Sequence, residues 1–310
     1  MTDADSSVLI VGSSNLDLVV RVPRLPRGGE TVAASPVARH PGGKGANQAV
    51  AIARLGAPVT LLSAIGDDEA GRTLRASAGV AGVDGSNLVV LPQHPSGVAF
   101  ITVDDSSENM IVVSPGANSG LLPAHLEARE ALFERAAVVG VSLEIPIETA
   151  QSACALARWH GATVVLNASP LTEDAHPLLG QCDVLVVNEH ECAAITGVAD
   201  DDPDALAAAL GGLGVRRAVV TRGARGSLVL EHLDTQQATA SVVEAHAVEA
   251  VDTTGCGDAF AGALMARLAR GDGLRDAAAA ASLVAAYAAT REGAQASYPT
   301  AEQLWDFAQR

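Results

Sequence analysis

The sequence predicts an α/β protein: a Rossmann-like, doubly wound, mostly parallel sheet flanked by helices, with a small β-sheet lid. Three observations predict it. Short β-branched runs alternate with longer helical patterns almost from end to end, which is the signature of βαβ units. Several of those runs are followed at once by polar residues, as at the ligand-binding carboxyl edge of an open α/β sheet. Two stretches, 17–40 and 96–114, carry extended runs with no helix between them.

Taken in order, the expected strands are VLIV at 8–11, VTLL at 59–62, VVGV at 138–141, TVVLN at 163–167, DVLVVN at 183–188 and AVVT at 218–221. Helical spacing marks 46–55, 146–160 and 203–210 between them. The Asp200-Asp201-Asp202-Pro203 cluster reads as a helix start, because acids and an early proline suit a helix N-terminus. The Ala-rich run Ala277–Ala289 reads as a buried or amphipathic helix, well short of the ~18 residues that cross a bilayer. In the two interrupting stretches, LVVRV, GVAFITVD and NMIVVS read as insertions forming the lid sheet. An antiparallel extension of the main sheet fits those residues equally well.

Composition bounds the function. With 20 Lys+Arg against 36 Asp+Glu, the net charge is −16 and the pI about 4.8, which argues against nucleic-acid or anionic-membrane partners. Hydrophobic residues at 48% against 18% charged give enough apolar surface to exclude disorder of the whole. The length fits one large α/β domain or two smaller ones, and a single domain over residues 1–310 is expected. The first residues carry acids where a secretory signal needs basic ones. Four scattered cysteines form no C-x-x-C pair, so reduced thiols in a cytoplasm are expected.

Four segments carry chemistry. Gly42-Gly43-Lys44-Gly45-Ala46-Asn47-Gln48 opens a helix that stops at Gly56. Glycines let backbone amides approach a ligand. Gly45 stands where a Walker A loop needs Ser or Thr, and Gln48 where the dinucleotide fingerprint needs glycine. Lys44 is the only lysine beside 19 arginines, which suggests a need for a compact, flexible donor. Asp252-Thr253-Thr254-Gly255-Cys256-Gly257-Asp258 feeds a second helix. Successive N–H groups there can form an anion hole, with Asp258 beside it as a general base. Asn188-Glu189-His190-Glu191 follows an apolar strand and can serve Mg²⁺ through water. A zinc-protease motif would need His at Ala194. Gly12-Ser13-Ser14-Asn15-Leu16-Asp17 can present paired donors and acceptors to hydroxyls.

These segments, in this order, resemble the ribokinase branch of the PfkB carbohydrate kinases, with GGKGAN at 42–47 and DTTGCGD at 252–258 as the two signatures. The resemblance runs from Gly12 to Ser297. It implies ATP-dependent phosphorylation of D-ribose at O5, with Asp258 as the base and Gly255, Cys256 and Gly257 around the γ-phosphate. It implies that Asn15, Asp17, Gly43, Lys44, Asn47 and Glu144 contact the sugar. Asn188 and Glu191 match the N-x-x-E motif that organises Mg²⁺ and phosphates, and Thr221, Gly223 and Gly226 match the loop beside the nucleotide. Asp252, Thr254, Ala288, Gly293 and Ser297 match positions that hold an activating K⁺ or similar monovalent cation, several through backbone carbonyls. It also implies a homodimer joined through the lid sheets.

The Asn167-Ala168-Ser169-Pro170 turn departs from the more proline-rich turn of many members, and Ser114-Pro115 precedes Gly116-Ala117-Asn118 in the lid. Both are expected near the sugar and leave deoxyribose, ketohexoses and nucleosides open as substrates, with 2-deoxyribose disfavoured because a site built to bond a hydroxyl is left unpaired without it. Only 3% of the chain is aromatic, which disfavours a nucleoside that needs a stacking partner. A non-catalytic sugar sensor is the rival class, and it has no use for the γ-phosphate residues. Cys256, set in the anion hole, is expected to make the protein sensitive to alkylation.

Overall fold

The computed structural model describes residues 7–106 and 108–309. Its main sheet has eight strands in the order Thr239–Val243, Ser227–Glu231, Ala218–Thr221, Val184–Asn188, Thr163–Asn167, Val138–Ser142, Val8–Val11 and Val59–Leu62. Six of them run parallel. The first two form an antiparallel edge.

Side-chain alternation along each strand feeds two cores, one per face. Leu9 and Val11 belong to one, and Val8 and Ile10 to the other. The first is covered by helices that include Ile147–Trp159. The second is covered by Lys44–Arg54, Cys256–Ala269 and Leu274–Ala289. The Ala-rich run is therefore a core helix. Among the described residues no helix is long and apolar enough to cross a membrane.

The lid is a separate four-stranded sheet in the order Ala38–Gly42, Asn15–Val22, Gly97–Asp104, Asn109–Ser114, so it does not extend the main sheet. Its bounds differ from the expected insertions. The first strand begins at Asn15, two residues before 17, and residues 23–37 between its two strands form no strand of their own. The central pair, Asn15–Val22 with Gly97–Asp104, is parallel, because the first insertion returns to the body before the second leaves it. Asp202 caps the helix Pro203–Gly212 by accepting from the Ala205 N–H at 3.0 Å. Asp200 has a different partner, Arg225 at 2.8 Å.

Candidate active site

Parallel register aligns the strand ends. Val11 pairs with Val141, Asn167 with Ser142 and Asn188 with Thr221. Gly12, Leu143-Glu144, Asn188 and Thr221 thus emerge along one edge of the sheet.

Helix Lys44–Arg54 starts without local support. Gly43 precedes it with no capping side chain, its first turn has no acid, and its first residue is a cation, which the positive end of a helix dipole disfavours. Distant groups supply the cap. The Lys44 N–H donates to Glu144 Oε2 at 3.1 Å, and the Ala46 N–H to the Ser13 carbonyl at 2.9 Å. The Ser13 hydroxyl donates to the same Glu144 oxygen. Gly43 has φ 89°, and a Cβ there would stand 2.7 Å from the Asn15 nitrogen, so only glycine lets these segments touch.

Asp258 lies in the first turn of helix Cys256–Ala269 and is 7% exposed. Both its oxygens are held: Asn47 Nδ2 donates to Oδ2 at 2.9 Å and Gln48 Nε2 to Oδ1 at 3.2 Å. Gln295 Nε2 donates to Asn47 Oδ1 at 3.0 Å, which fixes the way that amide faces. Neither Gln48 nor Gln295 stood among the site residues expected from sequence. Gln48 was visible inside its motif, whereas Gln295 lies in a short turn near the C-terminus with no local signal.

The turn before this helix is built around Gly255, with φ 74°; a Cβ there would stand 2.6 Å from the Tyr298 hydroxyl. That hydroxyl donates to the Gly255 carbonyl at 3.0 Å. The Cys256 N–H turns back to the Thr253 carbonyl at 3.2 Å. Among the described residues the amides of Gly257 and Asp258 have no backbone acceptor. Among the described residues nothing lies within 4 Å of a Cβ built on Gly257, so there is open space beside that residue. Unpartnered amides at a helix N-terminus attract an anion.

Charges converge here. Burial, then the carboxylates of Glu144 and Asp258, push Asp17 up to about 7. Burial opposes the charge on Lys44, but Asp258, Glu144 and Glu191 outweigh it and raise its pKa. Asp17, Lys44, Glu144, Asp258 and Glu191 therefore share one electrostatic neighbourhood. Asn15 joins it through Asn118, a buried residue of the Gly116-Ala117-Asn118 segment, which the sequence placed near the sugar without giving Asn118 a role. Asn118 donates to Asn15 Oδ1 at 2.8 Å and to the Ser14 carbonyl at 3.1 Å, and accepts from the Ser14 N–H at 3.0 Å.

Asn188 and Glu191 form a reciprocal cap. The Glu191 N–H donates to Asn188 Oδ1 at 2.8 Å, and the Asn188 N–H to Glu191 Oε2 at 2.9 Å. Gly223 and Gly226 have φ 55° and 78° and bound a tight turn after Thr221. A Cβ on Gly226 would collide with the Val243 carbonyl. Arg225, in that turn, pairs with Glu189 and Asp200.

The loop at Asp252 is stitched to the segment after helix Leu274–Ala289. Gly293 N–H donates to Asp252 Oδ2 at 2.8 Å, Thr254 N–H to Oδ1 at 2.9 Å, and Asp252 N–H to the Ala289 carbonyl at 3.2 Å. Ala288 is fully buried, and the Ser297 hydroxyl donates to the Ala294 carbonyl at 2.7 Å. The surroundings of Cys256 argue against its expected sensitivity to alkylation. Burial, with Asp252 and Asp258 nearby, pushes its thiol up to about 11, so little of the reactive thiolate forms near neutral pH.

Residues 5–301 match the pfkB family carbohydrate kinase. The chain belongs to the pfkB family of carbohydrate kinases. A ribokinase of Schizosaccharomyces pombe is 36% identical over 306 residues, 95% of each chain. A deoxyribokinase of Salmonella typhi is 34% identical, over 97% of this chain and 98% of the other. Among solved structures, Arabidopsis thaliana ribokinase complexed with ribose and ATP superposes with a TM-score of 0.88 at 26% identity, covering 98% of this chain and 99% of that one. The eight-stranded sheet with its separate lid is thus a pfkB kinase fold.

Proposed function

We propose that the protein transfers the γ-phosphoryl group of ATP to O5 of D-ribose, giving D-ribose 5-phosphate and ADP. The observation that carries this is the position of Asp258: a buried carboxylate, gripped through both oxygens, at the start of a helix whose Gly257 and Asp258 amides have no backbone acceptor among the described residues. Asp258 takes the proton of the sugar's primary hydroxyl as that oxygen bonds to the γ-phosphorus and the bond to ADP breaks. The amides of Gly257 and Asp258 receive the phosphoryl oxygens, while Gly255 and Cys256 shape the turn. Phosphoryl transfer asks chiefly for such positioning and charge stabilisation.

The sugar lies against Asn15, Asp17, Gly43, Lys44, Asn47 and Glu144. The nucleotide lies along Asn188, Thr221, Gly223, Gly226 and Gly257. Magnesium enters with ATP and, when bound, neutralises phosphate charge. Glu191 uses one oxygen on the Asn188 N–H, and the other suits an ion that keeps most of its own waters. Among the described residues no three His, Cys, Asp or Glu side chains are grouped to hold a metal unaided.

The loop of Asp252, Thr254, Ala288, Gly293 and Ser297 holds an activating monovalent cation. Burial opposes ionisation of Asp252, but the N–H groups of Gly293 and Thr254 outweigh it and keep its pKa low. An anionic carboxylate beside a turn rich in carbonyls suits a large, weakly hydrated ion such as K⁺. The lids of two copies join in a homodimer: Met110, Ile111, Val112 and Val113 on the edge strand are 44–60% exposed, and an exposed apolar edge calls for cover. The cysteines are free, and Cys154, Cys182 and Cys192 are buried, which fits a reducing cytoplasm.

The deoxyribokinase relatives favour a second reading, 2-deoxyribose as the acceptor. Coupled ADP release over a panel of sugars and nucleosides, with and without K⁺, decides between them: ribose is expected to give the highest kcat/KM. Replacing Asp258 by Ala is expected to lower kcat by roughly 10²–10⁴, the usual worth of a positioned base. Near-normal turnover in that variant removes Asp258 from the role.

A further inference from the structure

We infer that Gln48 is a positioning residue for phosphoryl transfer, aiming the Asp258 carboxylate at the acceptor hydroxyl. The inference rests on the kinase reading above and goes beyond it, because Gln48 is 0% exposed and offers no surface to sugar or nucleotide.

The geometry follows from a close crossing of two helices. Asp258 and Gly262 lie four residues apart, on one face of helix Cys256–Ala269. A Cβ on Gly262 would stand 2.7 Å from the Gln48 carbonyl and 2.8 Å from Ala51 Cβ. The glycine thus lets helix Lys44–Arg54 lie directly against its neighbour, one turn beyond the carboxylate. From there Gln48 Nε2 reaches Asp258 Oδ1 at 3.2 Å. Asn47, the preceding residue, points in a different direction from the same helix and grips Oδ2 at 2.9 Å. Two donors on two oxygens fix rotation of the carboxylate about its last bond.

The other end of the Gln48 side chain shows what the amide is for. Its Oε1 is buried and has no hydrogen-bond partner among the described residues, a destabilising arrangement that native structures seldom keep without a reason. Ala51 at the crossing, and Ala49, Ile52, Ala261 and Met265 elsewhere along the two helices, are buried and apolar. A methionine would fill the same space with no orphaned carbonyl. What it would lack is the N–H to Asp258.

The test uses the full chain with whichever sugar the wild type phosphorylates best. Gln48→Met is expected to lower kcat about tenfold, leave the sugar KM within twofold, and leave the melting temperature unchanged or raised. Gln48→Glu puts a carboxyl against a carboxylate. Its kcat is expected to recover toward acid pH, where the protonated side chain can donate, and to fall more steeply than the wild type's as pH rises. Wild-type kcat in Gln48→Met, a kcat loss matched by loss of folded protein, or an unaltered pH profile in Gln48→Glu overturns the inference while leaving the kinase reading intact. A wild type inactive on every sugar overturns the kinase reading itself.

Discussion

At the residue scale, Asp17 is the most unusual group in the site. Its folded pKa of about 7 exceeds the ordinary carboxylate value of 3.8, so between those values the native state binds more protons than the unfolded chain. Its stabilising contribution is full below the ordinary range and is lost as pH rises through about 7. If a sugar hydroxyl donates to the ionised form, sugar affinity tightens over the same interval. Calorimetric titration from pH 5.5 to 8.5 is expected to show ribose binding strengthen and level off above about 7. Asp17→Asn is expected to flatten that dependence, and an unchanged slope in the variant assigns the titration elsewhere. Cys256 gives a second prediction: with its thiol pushed up to about 11, iodoacetamide at pH 7 is expected to leave activity largely intact over an hour. The sequence suggested the opposite, because a cysteine in a glycine turn looks accessible and only the packing around it shows the burial.

At the element scale, the parallel strands were legible because β-branched runs bounded by polar residues have few other homes. VLIV, VTLL, TVVLN and AVVT fall on strands of the same bounds. The antiparallel hairpin of Ser227–Glu231 and Thr239–Val243 was not anticipated; the second strand, TASVV, is exposed at three of its five positions and carries little apolar pattern. The start of helix Lys44–Arg54 was legible from its glycines, but its cap was not, since Glu144 is 100 residues away. The same limit hid Gln295 and the role of Asn118. The turn after Thr221 carries the prediction for this scale. Gly226→Ala, with φ 78° and the Val243 carbonyl in the way, is expected to raise the KM for ATP several-fold while changing the sugar KM by less than twofold. Equal changes in both would show that the turn does not serve the nucleotide.

At the scale of the whole molecule, the order of the four polar segments could be read from the chain, and register explains why those at Gly12 and Asn188 lie on one edge: parallel strands end together. The lid was read as a small sheet of its own, and it is one, although a run such as NMIVVS is equally at home in an extension of the main sheet. The lid's edge strand carries the last prediction. Light scattering of the wild type is expected to give the mass of two chains, and Ile111→Asp combined with Val112→Asp the mass of one. A wild type of single-chain mass at working concentration rules out the lid-to-lid dimer.

The chain enters the small sheet at Asn15 and comes back from it at Gly42, next to the residue that precedes helix Lys44–Arg54. Asp17 rides on that sheet, while Glu144 and Asp258 are fixed to the body. The carboxylates that crowd Asp17 therefore stand on other elements than Asp17 itself, so the seating of the small sheet on the body sets how strongly they repel it.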